Sequence, residues 1–566
     1  MQTTKPLHTG KPSTSSLRKH YDDNDEEIEH REHHSDEGSG SGSAQSPLDK
    51  QRAMKAALEK DPGVPRFSWS AWQMYLVTLV ACCCSGDSGF DGTVMGGINS
   101  MKQYQKYFGL DGVGSKTSIV FGIYTIGSIC ATIPASYFPD KYGRRFSMFF
   151  GNSILIIGAL LSANAQNKGM FLGGRFLTGL GSGCAGASAK SFLAELAPSH
   201  SRGAYLGFLN SFYYVGQIAA TGMMVGTGRI QNDLSWRLPL YVQLVPAAIN
   251  VLTVFLCPES IGKAKEAREI LARFHSSTGD VNSPLIDLEM KEIEEKIEVD
   301  GADKKWWDYR PLFASRADRY RAYMVILIGT FGQLSGNGLI TYFLPILLKN
   351  AGITSQNKQL TLNFVNSITS YMGALTGSAT VDRFGRRKVL IYATMVMAVI
   401  LAIVTGLLSS IGSAARANAG ITFIYLFMVV FSYGWTPMQA LYPTEVLSYQ
   451  ARAKGLAFLN IVAQASTLIN TFGLPVALQK IGWKVYLIFC IWDVFEVVVM
   501  YFALVETKGL SLEEINEIFE QEHPRQYSDR LQREMRRASE RIAGESSEIA
   551  KLLPDEDYEM LDISVR

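Results

Sequence analysis

The apolar residues of this chain are gathered, with charge collected between and around them. They form runs of roughly 20 residues, the helical length that crosses about 30 Å of hydrocarbon. Twelve such runs stand near residues 70 to 97, 117 to 138, 146 to 165, 169 to 189, 204 to 226, 236 to 257, 321 to 348, 361 to 381, 388 to 409, 421 to 443, 455 to 476 and 483 to 504. Six come first, a polar insert follows, and six come after it. Many contain Gly, Ser or Thr and isolated polar groups, which suits helices that pack closely and line a cavity. The pattern predicts an all-α membrane protein with twelve transmembrane helices in two six-helix halves. The expected divisions are a disordered N-terminal tail over 1–67, a first half over 68–257, a linker with short cytoplasmic helices over 258–320, a second half over 321–505 and a C-terminal tail over 506–566. Twelve spans exclude a receptor anchored by a single helix.

Charge sets the orientation. "DKYGRR" (Asp140 to Arg145), "DRFGRRK" (Asp382 to Lys388) and the insert concentrate Lys and Arg, so the positive-inside rule places all three in the cytoplasm. An even number of spans then puts both termini inside. The N-terminal tail has no apolar stretch after a basic start, so no cleavable signal is read there. Its histidines, His20, His30, His33 and His34, lack ordered ligand spacing and read as part of a solvated polar tract, so no metal site is expected. All seven cysteines lie in apolar runs and read as reduced packing residues. The formal charge of +2 points to no partner, nucleic acid included.

The two halves share motifs. "DKYGRR" follows the second run and "DRFGRRK" the eighth. "AELAPSHSRG" (Ala194 to Gly203) follows the fourth run and "PTEVLSYQARAKG" (Pro443 to Gly455) the tenth, and in each a Glu precedes an Arg by seven residues, Glu195 to Arg202 and Glu445 to Arg452. Motifs repeated in matching order predict homologous halves with a substrate site between them near the midplane. The repeated Glu and Arg residues form a candidate cytoplasmic gate of ion pairs made and broken as the halves rock. Its members are Asp140, Arg144, Arg145, Glu195, Arg202, Asp382, Arg386, Arg387, Glu445 and Arg452.

Asp91, in "SGFDGTVMGG", stands at the end of the first run. A charge at the centre of a span costs at least about 2.5 kcal/mol, so a functional role is its default reading. Sugars are held by amides and carboxylates on their hydroxyls and by aromatic faces, and such groups recur in the runs. The fifth run offers Asn210 and Gln217, two helical turns apart and hence on one face; the seventh offers Gln333, Asn337 and Tyr342.

With these motifs the chain resembles the sugar porters of the major facilitator superfamily over roughly residues 68 to 520. The resemblance rests on the paired "GRR" loops, "GRFLTGLGSG" (Gly174 to Gly183), "PES" (Pro258 to Ser260) and "VETKGLSLEEI" (Val505 to Ile515). "FGQLSGNGLITYFLP" (Phe331 to Pro345) and "GWTPMQALYPTEVLSYQARAKG" (Gly434 to Gly455) resemble the fungal lactose permease branch, which carries lactose, cellobiose and other sugars. The resemblance implies that Asp91 and Arg175 couple proton movement, and that Asn210, Gln217 and the seventh-span residues line the sugar cavity. A carboxylate that loses its guanidinium partner in a low-dielectric cavity takes up a proton.

Departures from the family pattern qualify this picture. Gly332 stands where hexose carriers usually have a Gln, Gly338 where they have an Asn, and Ala440 where they have a Trp, which removes side-chain volume and suits a disaccharide better than a hexose unless Trp435 or Gln439 refills the space. Set against the family pattern, the chain is about six residues shorter after "PES", a stretch that includes an Arg the family uses near the inner gate. Asp87, one turn before Asp91, reads equally as a second proton group or as an outer-mouth surface residue. "GLGSGCAG" (Gly179 to Gly186) contains a GxGxxG string but follows no strand; Gly179 and Gly183 read instead as helix-packing glycines. Asp493 and Glu496 on the twelfth run carry no assigned role. "EIAKLL" (Glu548 to Leu553) resembles an acidic dileucine signal, a trafficking partner's binding pattern with a high chance-match rate.

The expectation is a plasma-membrane sugar:proton symporter that needs no cofactor and is not an enzyme. The alternatives are a proton-independent facilitator and a transporter-like sugar sensor.

Overall fold

A computed structural model describes residues 56–57, 60–65, 67–110, 114–198, 202–258, 264–301, 309–350, 352–409, 414–448, 452–508, 510, 512–534 and 537. The four tail histidines, the Glu259 and Ser260 of "PES", and the dileucine stretch lie outside these residues. So do the side chains of Asp140, Arg202, Asp382 and Arg452.

Every regular element among the described residues is helical. Hydrocarbon offers no partner to an exposed N–H or C=O, and a helix satisfies both within its own segment. The first set of helices comprises α1 (Trp69–Ile98), α2 (Lys102–Phe108), α3 (Ser115–Cys130), α4 (Thr132–Tyr142), α5 (Arg144–Ala163), α6 (Lys168–Leu196), α7 (Arg202–Thr227), α8 (Leu234–Val242) and α9 (Leu244–Thr253). Two insert helices follow, α10 (Ala264–His275) and α11 (Pro284–Gly301). The second set comprises α12 (Arg316–Leu334), α13 (Asn337–Asn350), α14 (Gln356–Phe384), α15 (Arg386–Ser409), α16 (Ala414–Val446), α17 (Arg452–Ile481), α18 (Lys484–Ala503) and α19 (Leu512–Glu520). Side-chain caps fix several starts: Ser68 accepts from the Ala71 amide at 3.2 Å, Asn167 from Met170 at 2.8 Å and Ser315 from Asp318 at 3.0 Å.

Among the described residues, eight helical stretches are long and apolar enough to cross a membrane. They are Ser115–Pro139, Arg144–Ala163, Leu234–Leu256, Arg316–Lys349, Arg386–Ser409, Asn418–Val446, Lys454–Ile481 and Lys484–Ala503. Four more helices match them in length, α1 with 30 residues, α6 and α14 with 29 each and α7 with 26. Their lower hydropathy comes from Gly, Ser, Thr, Asn and Gln, and in α1 and α6 from Asp87, Asp91 and Arg175.

Within the first set, α5 packs on α6 and α1 on α7; within the second, α16 packs on α14 and α15, and α15 on α18. The seam between α1 and α7 is the tightest kind of contact. A Cβ on Gly89 would stand 1.8 Å from the Tyr213 carbonyl oxygen, and one on Gly216 would stand 1.9 Å from that of Gly86. Gly179 and Gly183 of α6 likewise sit on the backbone at Tyr124 and the methyl of Ala131.

The two sets meet at the end away from the Gly-Arg-Arg loops. There Ser118 donates to the Phe472 carbonyl at 3.0 Å, Thr221 to Ser367 at 3.2 Å, and Gln356 to the Gly228 carbonyl at 3.0 Å. The backbone at Gly96 abuts Tyr342. Midway along α7, the Tyr214 hydroxyl meets Thr436 at 2.7 Å and its ring stacks on Tyr371 at 5.7 Å.

The insert helices share a small core of Ala267, Leu271, Ala272, Ile286 and Met290. They dock on the first set through His275, whose ring contacts the Glu289 carboxylate and, at 2.9 Å, the Leu196 carbonyl at the end of α6. Asp61 ties the segment before α1 to the same insert, accepting from the Ser277 amide at 2.8 Å and the Ser283 hydroxyl at 2.6 Å. Burial pushes the Asp61 carboxyl up, but hydrogen bonds from Ser276, Ser283 and Ser277 outweigh it and hold the group well below the usual carboxylate range.

Gly89→Ala should force α1 off α7 and lower stability by about 1–3 kcal/mol, read as an earlier thermal transition of the detergent-purified protein. Gly207→Ala, where nothing lies within 4 Å of the added carbon, should leave that transition in place.

Candidate functional site

Asp91 of α1 and Arg175 of α6 form a buried pair, 0% and 2% exposed. An Arg175 Nη1–H donates to Asp91 Oδ1, and the guanidinium lies 4.8 Å from the centre of the Tyr124 ring. Asp91 Oδ2 and Arg175 Nε have no hydrogen-bond partner among the described residues. A bidentate arrangement would satisfy both; the single-point contact leaves one carboxylate oxygen available. Asp87, one turn earlier, is 1% exposed and neither of its oxygens has a partner. That burial rules out the reading of Asp87 as a surface residue at an outer mouth.

The amide residues expected from the sequence are placed as follows. Gln217 is buried in α7, whereas Asn210, two turns nearer the Gly-Arg-Arg end, is exposed. The difference follows from the meeting of the two sets, which covers α7 from Tyr214 onward. Among the described residues no hydrogen bond joins Asn210 or Gln217 to α12 or α13. Gln333, near the end of α12, accepts from the Thr467 hydroxyl at 3.1 Å. Asn337 starts α13 and bonds its neighbour, the Gly338 amide, at 2.8 Å. Tyr342 stands where α13 meets the first set, its ring 5.9 Å from that of Phe121.

Between α12 and α13 the span is broken at Ser335 and Gly336, where Gly336 has φ 89°. Two side chains crowd the glycines on either side. Gln439 Nε2 lies 2.6 Å from where a Cβ of Gly332 would stand, and Asn470 Nδ2 lies 3.0 Å from that of Gly338. The room read into these two glycines is therefore taken up by amides from α16 and α17. Trp435 does not refill it: its ring is fully buried in the second set and donates to Thr394 at 3.0 Å. Ala440 alone of the three substituted positions is exposed. Sequence reasoning missed Asn470 because an Asn inside an apolar helix gives no sign of which neighbour it faces.

The loop motifs form ion pairs within each set. Arg144 Nε donates to Glu195 at 3.0 Å and its Nη1 to the Pro139 carbonyl at 2.8 Å. Arg386 binds Glu445 through Nε at 3.1 Å and Nη2 at 2.8 Å. Arg145 lies over Phe255, and Arg387 over Tyr501 with Asp529 at 3.4 Å. The preceding glycines, Gly143 with φ 88° and Gly385 with φ 90°, hold a conformation that side chains resist. Two partners were not singled out in the sequence. Glu506 Oε1 accepts the Arg386 amide at 2.8 Å, and Thr507 donates to Glu445 at 2.6 Å. Both lie in the "VETKG" stretch, and its place in a motif of the resembled family was the available signal.

Asp493 and Glu496 of α18 are both fully buried, and none of their four carboxyl oxygens has a partner among the described residues. All seven cysteines are free; Cys130 is exposed, the others buried or half-buried.

Comparison with known proteins places these features in a family. The family model described as "Sugar (and other) transporter" matches residues 77–519. A high-affinity glucose transporter of Kluyveromyces lactis is 26% identical over 478 residues, covering 79% of this chain and 85% of the relative. Sugar transport protein MST3 of Oryza sativa is 28% identical over 458 residues, covering 75% and 86%. Among solved structures, the inward-open xylose transporter XylE of E. coli superposes with a TM-score of 0.65 at 19% identity, covering 79% of this chain and 99% of that one.

Arg175→Met should leave the Asp91 carboxylate buried without its cation and cost about 3–5 kcal/mol, whereas the double variant with Asp91→Asn should recover most of that loss. Thermal transitions of the purified variants check both.

Proposed function

The chain belongs to the sugar transporter family, and from that membership we propose that it carries a sugar across the plasma membrane together with a proton. It is an integral membrane transporter of the major facilitator fold and not an enzyme. The substrate is a disaccharide of the lactose or cellobiose kind or a hexose, in keeping with the glucose transporters among its relatives and with the lactose permease-like motifs in α13 and α16.

The reading takes twelve spans in two six-helix halves: the eight apolar stretches and the four helices of equal length whose polar faces suit a cavity. The positive-inside rule puts the Gly-Arg-Arg loops, the insert and both termini in the cytoplasm. The two sets then meet at their outer ends, and α7 below Tyr214 is uncovered on the cytoplasmic side. That arrangement supports an inward-open state. Rocking about the midplane would close the loop end, where the Arg144–Glu195 and Arg386–Glu445 pairs brace each half, and open the outer end.

The observation that carries proton coupling is the buried Asp91–Arg175 contact with one carboxylate oxygen unpartnered. While α1 and α6 hold the two groups together, the guanidinium favours the carboxylate. If rocking separates them, the carboxyl is left in a low-dielectric site and binds a proton. Coupling follows when sugar and proton both favour the same state of the bundle. Asn210, Gln217, Gln333, Asn337 and Tyr342 are assigned to the sugar path.

The test is uptake in cells lacking their own sugar carriers. Lactose, cellobiose, glucose or galactose is added to a weakly buffered suspension while external pH and labelled-sugar uptake are recorded together. Symport predicts alkalinisation with at least one sugar, and Asp91→Asn should abolish the pH change. Uptake with no pH change in the unaltered protein would make it a facilitator. No uptake of any sugar would favour a sensor or a defect in the shortened stretch after Ser260.

A further inference from the structure

The break between α12 and α13 raises an accounting question. Where a helix stops inside a span, its last carbonyls have no partner in their own segment, and hydrocarbon supplies none. Two of those carbonyls belong to Gly332 and Gln333. Gln439 Nε2 donates to the first at 3.1 Å, and Asn470 Nδ2 donates to the second at 2.5 Å. Each amide reaches its carbonyl over a glycine. A side chain at Gly332 would collide with Gln439, and one at Gly338 would press on Asn470.

An amide has two ends. The nitrogens of Gln439 and Asn470 are committed to the break, whereas Gln439 Oε1 and Asn470 Oδ1 accept no hydrogen bond from a described residue. Neither oxygen is among the deeply buried atoms left without a partner. Both are thus fixed by their own nitrogens and set beside Gln333, whose side-chain oxygen is held by Thr467; Gln439 is half-buried and Asn470 buried, so each acceptor stands in a largely water-excluded place. A fixed acceptor with no internal partner is what a substrate hydroxyl needs, and a site built to receive a hydroxyl discriminates against an analogue that lacks it.

Resting on the transport reading above, we propose that Gln439 and Asn470 are specificity-determining residues that each accept a hydrogen bond from a substrate hydroxyl. Their donor ends hold the broken helix, and their acceptor ends read the sugar. The same two residues therefore link recognition to the broken span of α12 and α13.

The test uses whichever of lactose, cellobiose, glucose and galactose the unaltered full-length protein takes up fastest, together with monodeoxy analogues of that sugar, at concentrations far below saturation and normalised to protein at the cell surface. For each residue, one analogue should enter the unaltered protein roughly threefold to tenfold more slowly than the parent sugar, the worth of one hydrogen bond. Gln439→Met should erase that difference for one hydroxyl and Asn470→Leu for another. Equal loss for the sugar and every analogue would make the two residues braces only and overturn the inference. Should either variant fail to reach the membrane, Gln439→Glu and Asn470→Asp, which lose the donor that fixes the accepting oxygen and make that oxygen a charged acceptor, should alter the ranking of analogues at the one hydroxyl each residue reads; a ranking unchanged in both overturns the inference. If the unaltered protein takes up none of the four sugars, the transport reading fails and this inference with it, a result distinct from uptake with an unchanged ranking in the Met and Leu variants.

Discussion

The seam between α1 and α7 runs backbone to backbone, with glycine at Gly89 and Gly216 where any side chain would collide with a carbonyl. Without a hydrophobic drive between helices in lipid, such close approach is a main source of association. Its position decides much else. It turns Asp91 inward toward α6, where Arg175 meets it, and turns Tyr214 of α7 toward α14 and α16, where the first set touches the second. The ion pair and the contact between sets therefore depend on one rail. A change that widened it would disturb charge pairing and closure together, although neither Asp91 nor Tyr214 had been touched.

Much of the fold was legible because the bilayer leaves so few options. Runs of apolar residues had to be helices, and the repeated Gly-Arg-Arg loops fell where helices end. Hydropathy was a weaker guide for α1, α6, α7 and α14, whose Gly, Ser and amide content lowers the signal that length and packing supply. The Asp91–Arg175 contact was expected through resemblance to a family; nothing in the spacing of two residues 84 positions apart would have paired them.

Less of the site could be read. Sequence treats Gly332 and Gly338 as lost side chains, because a glycine says nothing about what enters the space it leaves. Gln439 could be named from the sequence as one group able to refill that space, but only the structure brings it and Asn470 there, from helices more than a hundred residues downstream. Asp87 shows a similar limit, since an acid near the end of a run reads equally as surface or interior until its neighbours are known. Glu506 and Thr507 were visible within a motif, yet their bond to the Gly385–Arg386 loop depends on the chain returning past α18.

The two loop clamps are built from the same motif but live in different solvents. Arg144 and Glu195 keep about a quarter of their side-chain surface open, 25% and 29%, whereas Arg386 and Glu445 keep 11% and 17% and have Thr507 and Glu506 packed around them. Dissolved ions screen an open pair strongly and a covered one little. Repetition in the sequence has thus produced unequal clamps: the first is the more open to the ions of its surroundings, and the second the more enclosed by its own helices.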